Sequence, residues 1–190
     1  MRNLKRTLSL LLAPAMLIGM MVASAGAVSY NDFSDRGEIV NKDAVSMLTT
    51  LGIIEGKPDG SYAPTEGVDR AQMAKMISTI KNNGSDNGAL YENVNSGLTD
   101  IVNHWAKGHI NYCYTTGIIA GRGNGIFDPS AGVTGTEAAK MLLVAIGYDP
   151  SIEGFVGTDW ALSVSSTADS VGIFRNYTKD LAAPLNRDDA

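Results

Sequence analysis

Apolar residues recur at helical spacing in four stretches of the chain. Val40, Ala44, Met47, Leu48 and Leu51 form one stripe, and Ala106, His109, Ile110 and Cys113 form a second. Met73, Met76, Ile77 and Ile80 make a third, matched by Ala138, Met141, Leu142 and Ala145. Gly52 and Gly117 stand where left-handed caps would close the first helix of each pair. Turn signals follow at Pro58-Asp59-Gly60 and Asn124-Gly125. Thr134 with Glu137 fits a capping box for the next helix, and Asp69 with Gln72 is a looser version. The pattern predicts helix, turn-rich loop, helix, written twice.

The first 27 residues follow another pattern. Arg2, Lys5 and Arg6 give a positive start, Leu8 to Val22 is an apolar run broken by Pro14, and Ala23-Ser24-Ala25 and Ala25-Gly26-Ala27 supply small residues for cleavage. That layout is a secretory signal peptide. Its apolar core is shorter than the roughly 20 residues of a spanning helix. No second apolar run of that length follows, so the expected product is exported, with no membrane insertion after cleavage.

An internal repeat organises the remainder. Leu51-Gly52-Ile53-Ile54-Glu55-Gly56 realigns with Thr116-Gly117-Ile118-Ile119-Ala120-Gly121, and Ala74-Lys75-Met76 with Ala139-Lys140-Met141, at a constant offset of 65 residues. Asp35 and Asp100 keep the same register. A third copy follows at a shorter offset: Trp160-Ala161 and Gly172-Ile173 lie 55 residues after Trp105-Ala106 and Gly117-Ile118. Leu185-Asn186-Arg187-Asp188-Asp189 then answers Val68-Asp69-Arg70-Ala71-Gln72. The chain thus divides into a signal peptide (1–27), copy 1 (28–82), a flexible Asn- and Gly-rich linker (83–96), copy 2 (97–149) and an incomplete copy 3 (150–190). A lone two-helix unit cannot bury its apolar face, so the copies must pack on one another. The expectation is an all-α fold whose first helices share one core, with copy 3 the least stable part because its second helix is missing.

Composition narrows the chemistry. With 44% hydrophobic and 18% charged residues the chain is ordinary globular material, and a net charge of −5 argues against nucleic acid as partner. One cysteine, Cys113, precludes an intramolecular disulfide framework, and reads as a buried small residue. His104 and His109 diverge on a helix, so no metal site is expected with Asp100. Gly121 to Gly125 lacks the following Lys-Ser/Thr of a phosphate loop, and Lys57-Pro58-Asp59-Gly60 lacks the other ligands of a calcium loop. No nucleophile–base pair recurs with catalytic spacing, so neither catalysis nor a cofactor is expected within these residues.

Phe33-Ser34-Asp35, Trp105-Ala106, the two Gly-Ile-Ile-x-Gly segments and Val68-Asp69-Arg70-Ala71-Gln72 together resemble the S-layer homology family of bacterial wall-anchoring modules. The resemblance implies a three-pronged spindle with pseudo-threefold symmetry. It also implies binding, in grooves between copies, to peptidoglycan-linked anionic secondary cell-wall polysaccharide, often carrying pyruvylated amino sugars. Arg70 and Arg187 hold the family's arginine position, where a guanidinium fork at a helix start suits a ketal-linked carboxylate. Trp105 and Trp160 would offer faces to sugar rings, and Asp35 and Asp100 complete the candidate ligand-binding set. Three positions depart from the pattern: Val40 replaces the Trp of copy 1, Gly135 the Arg of copy 2, and Phe155 the Asp of copy 3. The pocket of copy 2 is therefore expected to be weak unless Arg122 or Lys140 reaches in, and Arg187 to lack the help of a helix dipole. The function implied is non-enzymatic anchoring of an exported protein at the cell wall. The alternatives are the targeting part of a wall-active enzyme and a self-assembling surface-layer protein. Mass spectrometry of the secreted product should find an N-terminus at Gly26 or Val28, and an intact Met1 would refute export by this signal.

Overall fold

A computed structural model describes residues 28–190, and the signal-peptide reading of residues 1–27 lies outside them. The described residues form six α-helices and no strands: α1 (Lys42–Thr50), α2 (Arg70–Lys81), α3 (Gly88–Tyr91), α4 (Lys107–Thr115), α5 (Gly135–Ala145) and α6 (Trp160–Ser170). Tyr30–Asp32 and Arg36–Glu38 add two 3₁₀ turns. The all-α expectation holds. Both capping boxes form, Asp69 receiving the Gln72 amide and Thr134 that of Glu137. Gly52, Gly117 and Gly172 all take positive φ just past the first helix of their copies.

The packing order differs from the expected one. First helices do not meet in a common core. Instead the second helix of each copy packs on the first helix of the next, α2 on α4 and α5 on α6, with α2 and α5 also touching each other. The largest buried cluster accordingly joins Ala71, Met73 and Ile77 of α2 to Ile110 and Cys113 of α4 and Met141 of α5. Burial pushes the Cys113 thiol up to about 12, and its Sγ donates to the Ala74 carbonyl at 3.5 Å. Copy 3 has its own cluster, in which Leu143 of α5 meets Phe155, Val164 and Ala168.

The copies are joined by a three-membered ring of backbone hydrogen bonds. Val68 N donates to Leu185 O at 2.9 Å, Leu185 N to Val133 O at 2.8 Å, and Val133 N to Val68 O at 3.0 Å. Each residue belongs to a different copy, and all three side chains are buried in the main cluster.

The cyclic order runs on from copy 3 to copy 1, where Arg187 N donates to Glu66 O at 2.9 Å and Asp188 N to Pro64 O at 3.1 Å. Arg187 to Asp189 form a turn, and the Asp188 carboxylate accepts from Val40 N and Asn41 N at the start of α1. The expected stripe of α1 faces outward: Val40 is 80% exposed and Met47 60%, while Val45 and Thr49 face inward. Val45 of α1 packs with Phe33, Ile39 and Tyr62 of its own copy, and among the described helices none packs closely on α1.

Nor is the segment read as a linker slack. Its helix α3 lies on α4, Tyr91 packs edge-on against Tyr112, and Asn111 donates to the Tyr91 carbonyl at 2.9 Å. His109 is buried beneath it, with Ser78 Oγ 2.6 Å from Nδ1 and Asp86 3.3 Å from Nε2. Gly88 sits so close that a Cβ there would lie 2.7 Å from the imidazole. Hydrogen exchange should find the amides of Val68, Val133 and Leu185 among the slowest, and those of α1 opening at lower free energy than those of α2 or α6. Equal protection of α1 and α2 would contradict the cyclic packing.

Candidate functional site

Two grooves of about 200 Å³ each lie between copies, and each draws on all three. Groove 1 is walled by Ile53 to Gly56 and the Lys75 face of α2 from copy 1, Trp105 from copy 2 and Arg187 from copy 3. Groove 2 repeats it one step round the ring: Ile118 to Gly121 and the Lys140 face of α5 from copy 2, Trp160 from copy 3 and Arg70 from copy 1. A copy's arginine thus serves the next copy's groove. The groove at copy 2 keeps its arginine, which is Arg70, and both Arg122 and Lys140 line it as well. The condition set for this groove, that Arg122 or Lys140 reach in, is met.

The arginines are held in the same way. Arg70 Nε donates to Phe127 O at 2.9 Å, Nη2 to Ala120 O at 2.7 Å, and the guanidinium lies 4.4 Å over the Phe127 ring. Arg187 Nε donates to Tyr62 O at 2.7 Å, Nη2 to Glu55 O at 2.9 Å, over the Tyr62 ring at 4.8 Å. Arg70 is only 4% exposed. Burial, then the nearby Arg122, lowers its pKa, but a guanidinium stays charged. Two of its five donors are committed to carbonyls, so the open fork expected from the sequence is half used.

The helix starts offer no free backbone donors to a ligand. Arg70 N donates to Ala131 O and Ala71 N to Pro129 O, each at 3.0 Å, while Asp69 takes the Gln72 amide. Arg187 N and Asp188 N bond Glu66 O and Pro64 O in the same manner, and Asn186 Oδ1 accepts from Asp189 N at 2.9 Å. Arg187 therefore enters its groove from a turn, held by bonds equivalent to those that hold Arg70 at the start of α2.

Asp35 and Asp100 do not line either groove. Asp35 accepts from Tyr62 N at 2.8 Å and Ala63 N at 2.7 Å; Asp100 accepts from Phe127 N at 3.0 Å and Asp128 N at 2.7 Å. Desolvation raises the Asp100 pKa, but the Phe127 and Asp128 amides outweigh it and hold the carboxyl below its usual range. Ala63 and Asp128 take φ of 56° and 62°, conformations that L side chains rarely adopt, and the carboxylates pin that turn. The turn aims the Tyr62 and Phe127 carbonyls at the arginines. These aspartates are positioning residues.

The tryptophans do sit at the grooves. Trp105 is 57% exposed with His104 packed at 5.6 Å, and Trp160 is half-buried with Lys140 Nζ 5.1 Å above its ring. Sequence reasoning missed Lys75, although its place in the Ala-Lys-Met repeat with Lys140 was a usable signal.

The third groove of the ring has lost both key side chains. Val40 stands in the tryptophan position and lines it beside Arg175 and Lys179. Gly135 stands in the arginine position, where a Cβ would lie 3.3 Å from the Leu181 backbone. The backbone frame persists regardless, with Thr136 N donating to Leu181 O at 3.0 Å.

Repeated grooves walled by successive helix–loop–helix copies define a tandem-repeat binding module. Residues 32–74 and 97–139 match the S-layer homology domain, so the chain carries two repeats of that family. It is 27% identical over 191 residues, all of this chain and 24% of the relative, to a cell surface protein of Thermoanaerobacter kivui. An S-layer protein of Bacillus licheniformis is 32% identical over 117 residues, 62% of this chain and 13% of the relative. An exoglucanase of Acetivibrio thermocellus is 27% identical over 170 residues, 83% of this chain and 15% of the relative. The chain spans under a quarter of the length of these relatives. It is a bacterial cell-surface protein, and none of its described helices is long and apolar enough to cross a membrane.

Arg70→Ala strands two carbonyl acceptors and should cost about 3 kcal/mol of folding stability by urea denaturation, whereas Lys140→Ala should change it by less than about 0.5 kcal/mol. A neutral Arg70→Ala would show that the guanidinium does not hold the groove together.

Proposed function

We propose that this chain anchors a surface protein non-covalently to the bacterial cell wall by binding anionic, pyruvylated secondary cell-wall polysaccharide, and that its residues carry no catalytic step. One observation supports this reading above the others. Groove 2 brings Arg70, Arg122 and Lys140 together beside the Trp160 ring, against a single carboxylate, Glu137. Cations next to an aromatic face suit an acidic sugar, whose carboxylate takes charge-assisted hydrogen bonds while its ring packs on the indole. Arg122 already pairs with Glu137 at 2.8 Å, so Arg70 and Lys140 are the groups with charge to give. Burial lowers the Lys140 pKa, with Glu137 opposing, and a partly desolvated ammonium gains more from a ligand carboxylate than a fully hydrated one.

The alternative of an N-terminal targeting part of a wall-active enzyme has the same groove chemistry, and an exoglucanase among the relatives favours keeping it in view. In both readings these residues do the tethering.

Purified wall polysaccharide should retain the protein in a pull-down, and removing its pyruvate should release it. Lys140→Ala, which spares the buried arginine, should weaken binding roughly tenfold, the value of one charge-assisted contact. Undiminished binding to depyruvylated polymer would refute the acidic-sugar reading.

A further inference from the structure

Grooves 1 and 2 share a frame but differ at one position that the frame itself presents. Residue 55 in groove 1 and residue 120 in groove 2 are each gripped by their backbone carbonyl, from Arg187 and Arg70 respectively. The grip fixes the main chain and leaves the side chain to vary: Glu55 in one groove, Ala120 in the other. Both residues are exposed.

The consequence is electrostatic. Glu55 takes the Lys75 ammonium at 3.2 Å, across the wall of groove 1. Lys140, the counterpart of Lys75, has Ala120 where that carboxylate would be, and lies over the Trp160 ring. Arg122 in groove 2 is matched by Glu137 at 2.8 Å, where groove 1 has the neutral Gln72. The Arg122 counterpart, Lys57, pairs with Glu66 and does not line groove 1. Among the described residues, the unpaired cations are therefore Arg70 and Lys140 in groove 2 and Arg187 alone in groove 1. An exposed pair such as Glu55–Lys75 contributes little to folding. Its effect on an incoming carboxylate is direct, because the ligand must displace Glu55 from Lys75 or lie beside a like charge.

We propose that Glu55 is a specificity-determining residue that closes groove 1 to acidic sugars and leaves it for uncharged ones, while Ala120 keeps groove 2 open to a carboxylate. The proposal rests on the wall-glycan reading above. In groove 1 the Glu55 carboxylate accepts from sugar hydroxyls, Arg187 donates to ring or carbonyl oxygens, and Trp105 supplies the stacking face. One chain then reads two kinds of residue along a polysaccharide, one charged and one neutral.

The chain has two tryptophans, one in each groove, so their indole N–H signals report the grooves separately by NMR. A pyruvylated N-acetylhexosamine glycoside is the probe, with its depyruvylated form as comparison. The pyruvylated sugar should move the Trp160 signal at about tenfold lower concentration than that of Trp105. Glu55→Gln should bring the Trp105 midpoint down about five- to tenfold without moving that of Trp160, and Ala120→Glu should raise the Trp160 midpoint by a similar factor. The depyruvylated sugar should move Trp105 equally in parent and Glu55→Gln. An unchanged Trp105 midpoint in Glu55→Gln, with Trp160 still responding, overturns the role of Glu55 and leaves the wall-glycan reading standing. Silence at both indoles overturns the two together.

Discussion

Three backbone hydrogen bonds, among Val68, Val133 and Leu185, set the relation of the copies to one another. Each residue immediately precedes a capping side chain: Asp69 and Thr134 at the starts of α2 and α5, and Asn186 at the turn Arg187 to Asp189. The ring therefore fixes where each of those segments begins and toward which neighbour its first side chain points. Bonds of this kind contribute about 1 kcal/mol each, but a buried donor left without its acceptor costs about 1–3 kcal/mol, so the ring is hard to open one bond at a time. Every groove follows from it, since each arginine leaves its own copy at this point and enters the next.

The arginine is framework before it is ligand-binding group. Asp100 pins the Phe127–Asp128 turn, the turn presents the Phe127 carbonyl, and Arg70 closes on that carbonyl and on Ala120. Copy 3's arginine completes the same chain through Asp35 and Tyr62, where the Tyr62 hydroxyl adds a bond to the Arg187 carbonyl at 2.5 Å. Desolvation raises the Tyr62 pKa to about 12, so the phenol remains a donor. Two donors spent on carbonyls hold each guanidinium in place, and the loss of conformational freedom that a ligand contact would demand of a long side chain has already occurred on folding.

Frame and chemistry can separate. The third groove retains its backbone bond from Thr136 to Leu181 but has glycine for arginine and valine for tryptophan. Along the chain Gly135 and Val40 are two unrelated departures in different copies. Around the ring both fall against copy 3: Val40 lines the third groove, and Gly135 lies against Leu181.

Apart from α3, which lies in the segment expected to be a linker, the helices, their caps and the repeat were legible in the sequence because they depend on neighbours within a few residues. Capping boxes at Asp69 and Thr134 and positive-φ glycines at Gly52 and Gly117 are local chemistry. The closing glycines of the Gly-Ile-Ile-x-Gly segments are nearly so, since a Cβ at Gly56 would come within 2.6 Å of the Phe33 ring of the same copy. Four of the six candidate residues, the arginines and tryptophans, were also found at the grooves, because their places in the repeated motif, with the third copy at its shorter offset, mark them without reference to shape. Which copy's arginine meets which copy's tryptophan was not legible. Nor was it apparent that Asp35 and Asp100 serve the backbone, that α1 shows its apolar stripe to solvent, or that Glu55 and Ala120 distinguish the grooves. A repeat is the same string whichever way its copies are arranged, and only the closure of the ring, through contacts between residues as far apart as Val68 and Leu185, assigns each side chain to its neighbour.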